Sequence, residues 1–108
     1  MALPAQSVAR LVPLGRNPVS LPELPLRLPV NLVGRTHGCD LTLGFATISR
    51  RHCCFIHVNQ DWLIRDLESR HGVYLNGQRV REAQLHHGDE VAIAQFLFRF
   101  ERPEKGGS

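Results

Sequence analysis

Residues 66 to 77 read Asp66-Leu67-Glu68-Ser69-Arg70-His71-Gly72-Val73-Tyr74-Leu75-Asn76-Gly77, and two shorter runs stand upstream, Gly34-Arg35 and Ser49-Arg50-Arg51-His52. Each adjoins a short apolar segment of strand character. Asn76-Gly77 is a strong two-residue hairpin signal, because both residues accept positive φ. Together the runs bring a hydroxyl, several guanidinium groups and exposed backbone N–H groups to predicted strand ends. That donor set suits capture of a phosphate dianion.

Working outward, the chain beyond residue 30 has period two, with short runs separated by turn signals, which predicts an all-β sandwich or barrel. Strands are predicted near Ala9 to Leu14, Leu24 to Leu28, Asn31 to Gly34, Leu41 to Leu43, Arg51 to Val58, Trp62 to Asp66, Val73 to Leu75, Glu90 to Ala94 and Phe96 to Glu101. Cys54, Ile56 and Val58 share one face of their strand, and Cys53, Phe55 and His57 the other. Phe96, Phe98 and Phe100 line up at i, i+2, i+4 and read as core, not as a stacking platform for bases. Asn59-Gln60-Asp61 and His87-Gly88-Asp89 read as further turns, and no stretch has useful helical periodicity. Five of the seven prolines lie from Pro13 to Pro29, interleaved with Leu21, Leu24, Leu26 and Leu28. Proline gives a ladder no donor, so this stretch reads as an edge strand or an extended loop held on the core by its leucines.

At 108 residues the chain has room for one domain. The formal charge is +3 and the basic side is nearly all arginine, with Lys105 the only lysine. Arginine offers a planar fork that pairs bidentately with phosphate or carboxylate, which a lysine point charge does not. Cys39, Cys53 and Cys54 are an odd number, and neighbours on a strand point to opposite faces, so no disulfide framework is expected. No apolar run approaches the roughly 18 to 20 residues a bilayer requires, and no signal peptide is read at the N-terminus. The expectation is a reducing, intracellular domain without a membrane partner.

The ordered set Gly34-Arg35, Ser49-x-x-His52, Asp66-Leu67-x-Ser69-x-His71-Gly72, Leu75-Asn76-Gly77 and Leu85-x-x-Gly88-Asp89-Glu90-Val91 resembles the forkhead-associated (FHA) domain. The resemblance covers about residues 8 to 101. Residues 1–7 are left as a flexible leading arm and 102–108 as a polar tail or cloning scar. It implies an antiparallel β-sandwich of about eleven strands, of the FHA/SMAD-like type, whose loops at one end bind phosphothreonine peptides. It further implies no enzymatic activity, no cofactor and no metal.

By the same resemblance Ser49 donates its hydroxyl to phosphate, Arg50 adds charge beside it, and Arg35 contacts phosphate or peptide backbone. Arg70 reads equally as a further phosphate contact or as an exposed loop arginine. His71 stands where family members usually carry an asparagine that holds the peptide main chain, and Val73 where threonine is usual. If His71 touches phosphate, affinity rises as the imidazole gains charge. Gly34, His52, Gly72, Asn76 and Gly77 are structural in the binding loops. Arg51 alternates with Arg50 and is expected to point away, while Asp40 and Asp66 read as turn and strand-end residues.

Two catalytic or metal alternatives fail on pattern. Ser49, His52 and Asp66 name the members of a hydrolase triad, but no nucleophile elbow accompanies them. His52, Cys53, Cys54 and His57 lack the spacing of a zinc site. The expected function is therefore a phosphothreonine-binding interaction module that recruits a phosphorylated partner in kinase signalling, as a monomer. The alternative is a degenerate FHA domain acting as a phosphate-independent structural or homotypic module. Nucleic-acid binding is not favoured, since no aromatic and basic residues interleave on a strand.

Overall fold

A computed structural model describes residues 1–103. Eleven strands make up nearly all of its regular structure: β1 (Ala9–Pro13), β2 (Leu24–Leu26), β3 (Val30–Gly34), β4 (Leu41–Thr42), β5 (Cys53–Val58), β6 (Asp61–Asp66), β7 (Val73–Leu75), β8 (Gln78–Val80), β9 (Glu82–Leu85), β10 (Glu90–Ile93) and β11 (Phe96–Glu101). They form a sandwich of two sheets, ordered β2-β1-β11-β10-β7-β8 and β4-β3-β5-β6-β9. Pairing is antiparallel, as expected, apart from a short parallel contact between β3 and β4, where Val33 opposes Leu41.

Alternation explains the core. Leu11, Val33, Cys53, Phe55, Trp62, Ile64, Val91, Ile93, Phe98 and Phe100 all turn inward from both sheets and are buried. The face of β5 carrying Cys53 and Phe55 is the inner one, and Val58 on the other face is exposed. Trp62 meets Phe100 edge-on at 6.3 Å between ring centroids. Leu21, Leu24 and Leu26 tether the proline-rich stretch to this core, with Pro25 in the edge strand β2, where a missing donor costs little.

Two strands have no counterpart in the sequence reading. β8 and β9 cover Gln78 to Leu85, a mostly polar stretch in which Leu85 alone is buried. Each is the edge strand of one sheet, and edge strands with solvent on one side carry little hydrophobic signal. The Asn76-Gly77 turn, with φ of 50° and 86°, delivers β8 to β7, and pairing with β6 recruits β9. β5 begins at Cys53, not at Arg51, because residues 49–52 belong to the preceding loop.

The leading residues are anchored, which differs from the free arm expected for 1–7. Leu3 packs against the core and its N–H donates to Arg27 O at 2.7 Å. A short 3-10 turn at Ala5–Ser7 then offers Ser7 O to the Trp62 indole N–H at 3.3 Å. Of the expected tail, Arg102 donates through Nη2 to Gln60 O, and residues 104–108 lie outside the described residues.

Phe98 is fully buried between the sheets, so Phe98→Ala is expected to cost about 3–5 kcal/mol, seen as a lower urea midpoint at unchanged slope.

Candidate functional site

Three loops gather at one end of the sandwich: 35–40 after β3, 43–52 before β5, and 67–72 before β7. Close backbone approach holds the first two together. A Cβ at Gly34 would fall 2.1 Å from Arg50 O and 2.7 Å from Cys39 Sγ, so this position excludes every side chain. The space left by glycine lets the Arg35 N–H reach Ser49 O at 3.0 Å. Arg50 O receives Cys39 Sγ at 3.2 Å and Thr36 Oγ1 at 3.4 Å, which pins the same loop from the side.

His52 ties all three segments. It is wholly buried, and its backbone N–H donates to Val33 O while its carbonyl accepts from the Leu67 N–H. On the ring, Nδ1 accepts the Ser49 N–H at 3.0 Å and Nε2 lies 2.8 Å from Gly72 O. A backbone N–H can only donate, so Nδ1 is bare and Nε2 carries the proton. The ring is thus a neutral strut between two loops. Burial holds its pKa below the ordinary value, against smaller upward pulls from Gly72 O and Asp66.

The third loop is built on a carboxylate. Asp66 Oδ1 accepts from Ser69 Oγ at 2.6 Å and from the Ser69 N–H at 3.3 Å, and Ser69 Oγ accepts the Gly72 N–H at 2.9 Å. Asp66 therefore orders this loop. Gly72 turns at φ of 78°, and its missing side chain admits Arg79 from β8, whose Nε lies 2.5 Å from where a Cβ would stand. Gly72 O accepts both the His52 ring and the Ala94 N–H, linking the β10–β11 turn to the same end.

An open concavity of about 410 Å³ lies between these loops, lined by Arg35, Ala46, Thr47, Ile48, Ser49, Arg50, Arg51 and Arg70. Ser49 Oγ accepts the Arg70 N–H at 3.0 Å, and its own hydrogen has no acceptor among the described residues. Outside the concavity Arg10 pairs with Glu23 and Glu101, Arg16 with Glu90, Arg65 with Glu82 and Arg99 with Glu101, while Arg27, Arg79, Arg81 and Arg102 make no ion pair among the described residues. None of the four arginines on this concavity has a carboxylate partner among the described residues. Two larger depressions, of about 740 and 860 Å³, count Glu23 and Glu101, or Asp66, Glu68 and Glu82, among their walls. The smaller one is the cationic one, and its chemistry outweighs its size.

The sequence reading and the geometry part at two places, Arg51 and His71. Arg51 was expected to point away but lines the concavity, because the two-residue alternation of a strand does not apply to the loop from which it projects. His71 is exposed and outside the concavity wall, and its ring makes no hydrogen bond among the described residues. Ser49, His52 and Asp66 form no catalytic relay: the serine bonds the imidazole through its backbone, and the carboxylate is engaged by Ser69. Thr47 on the wall and Arg79 under Gly72 had no signal in sequence, since each acts through a tertiary neighbour, Gln95 for Thr47 at 2.7 Å. Among the described residues no group of His, Cys, Asp or Glu is arranged to hold a metal, and no helix is long and apolar enough to cross a membrane.

Comparison with known proteins gives one consistent result. A family model described as FHA domain matches residues 31–94. The glycogen accumulation regulator GarA of Mycobacterium tuberculosis is 34% identical over 105 residues, covering 97% of this chain and 64% of that protein. The transcriptional regulatory protein EmbR of the same species is 33% identical over 78 residues, 71% of this chain, so this chain matches about a fifth of EmbR's length. The structure of M. tuberculosis EmbR in complex with a low affinity phosphopeptide superposes with a TM-score of 0.79 at 28% identity, over 93% of this chain and 26% of that one. A structure from work on phosphothreonine-dependent FHA domain interactions also reaches 0.79, at 26% identity, over 91% and 99%.

The neutral strut makes a pH-dependent contribution to stability. The pKa of His52 is lower folded than unfolded, so the unfolded chain binds more protons as pH falls. The contribution is complete above about pH 6.5 and is lost as pH drops from there through the depressed folded value. Urea midpoints are expected to fall between pH 7 and pH 5, and His52→Gln to flatten part of that slope. His57, also lowered chiefly by burial, leaves a residual slope.

Proposed function

The chain belongs to the FHA domain family, and on that footing we propose that its cationic concavity binds phosphothreonine peptides and recruits a phosphorylated protein in kinase signalling. One observation carries the reading. Four guanidinium groups without carboxylate partners line the concavity together with a serine hydroxyl whose hydrogen is free. A phosphothreonine brings about −1.5 to −2 charges and three acceptor oxygens, and its ester carbon carries a methyl group that the exposed Ala46 on the wall suits. A buried methyl is worth roughly 0.8 kcal/mol, which favours threonine over serine by about fourfold.

Arg35, Ser49, Arg50 and Arg70 are the proposed phosphate contacts. Gly34, His52, Gly72, Asn76 and Gly77 act by shaping the loops. His71, whose side chain stands clear of the wall, is assigned to the flanking peptide main chain. Hydrogen bonds to the charged group are worth about 1.5–3 kcal/mol each, and association costs remove much of their sum, so affinity falls near the micromolar range, about −8 kcal/mol. The role is binding, not catalysis: the groups collected here neutralise charge, and the imidazole is spent on backbone atoms.

A phosphate-independent role has one observation in its favour, that His71 offers no amide where the family's peptide clamp stands. It requires equal affinity for phosphorylated and unphosphorylated copies of a partner. In a titration of phosphothreonine peptides followed by amide shifts, changes are expected at Arg35, Ser49 and Arg50, and none with the unphosphorylated copies. Ser49→Ala and Arg35→Ala are each expected to weaken binding at least tenfold while the spectrum stays that of a folded domain.

A further inference from the structure

The concavity holds more positive charge than one phosphate uses. Each oxygen of a phosphate accepts about two hydrogen bonds, so the dianion offers about six acceptor positions. The Ser49 hydroxyl takes one, and a guanidinium fork takes two. With that hydroxyl, Arg35, Arg50 and Arg70 therefore offer about seven donors, more than enough to fill it. The backbones of Arg35 and Arg70 bond directly to Ser49, at its carbonyl and its hydroxyl, and Arg50 is its chain neighbour, so all three stems start beside the hydroxyl. Arg51 starts one residue further on, projects from the loop before β5 and still lines the same wall. Its guanidinium meets no acidic side chain among the described residues. Four cations against at most two negative charges leave an excess of about two.

Resting on the phosphothreonine reading, we infer that the ligand is a phosphothreonine peptide with a second anionic side chain close to the phosphothreonine, and that Arg51 is the residue that selects it. The second group is either a carboxylate or another phosphate, since the fork of Arg51 pairs with both. The wall offers it no competing carboxylate, and Ala46 and Thr47 leave the rim free of other charge. An exposed pair of this kind is screened by salt, so the selectivity is largest at low ionic strength.

The test is a cycle of two proteins, wild type and Arg51→Gln, against four peptides measured by fluorescence anisotropy. The peptides share one sequence and carry a phosphothreonine with neutral flanks, the same with flanking aspartates, the same with a second phosphothreonine, and the aspartate version without phosphate. For the wild type, aspartates are expected to raise affinity about threefold to fivefold over neutral flanks, and the second phosphate about tenfold. In Arg51→Gln both ratios are expected to shrink toward one, the coupling that marks a direct interaction. Wild-type ratios of one with intact phosphopeptide binding overturn the inference and leave the phosphothreonine reading standing. Ratios that persist unchanged in Arg51→Gln overturn the assignment to that residue. Failure of every phosphopeptide, or equal binding of the unphosphorylated acidic peptide, overturns both.

Discussion

The buried imidazole of His52 is the constraint on which the binding end of this sandwich depends. Four hydrogen bonds leave this one residue, to Val33, Ser49, Leu67 and Gly72, and they join the end of one strand to two separate loops. Loops of about six to ten residues would otherwise sample many arrangements, since each ordered backbone residue costs about 1–2 kcal/mol of entropy. A neutral ring meets the need because it donates at one end and accepts at the other. A charged ring would set a proton on Nδ1 against the Ser49 N–H, so one protonation state is tied to one loop geometry.

Two glycines complete that geometry by what they lack. Gly34 lets the carbonyl of Arg50 lie against β3, and Gly72 lets Arg79 from an edge strand cover the third loop. Around this rigid floor the arginines stand in solvent, where four like charges are tolerable because water and salt screen them. Their field favours approach of an anion before any contact forms. The floor sets position and the rim sets charge, and the two are carried by different residues of the same three loops.

The sequence was informative where physics is local. Nine of the strands were predicted, those beyond residue 30 from period-two apolar runs, and Asn76-Gly77 predicted a turn that both residues enter with positive φ. The reading weakened where an element draws its order from a partner. Gln78 to Leu85 is polar and becomes two strands because β7 and β6 present open edges to it. Arg51 was assigned by the parity of a strand that starts two residues later, at Cys53. Leu3 docks because Arg27, just after the edge strand β2, offers it a carbonyl, a neighbour that no local pattern reveals.

By itself the sequence determined that the chain is a β-sandwich and which residue types stand at its strand ends, because alternation, turn chemistry and motif spacing are properties of neighbouring residues. Only the tertiary structure decided which of those residues share a surface. Arg35, Ser49 and Arg70 come from three loops, and the distance between them is set by a glycine contact and a histidine strut. The tertiary structure also separated His71 from the wall and brought Arg51 to it, since a loop's direction follows from what its backbone bonds across the fold.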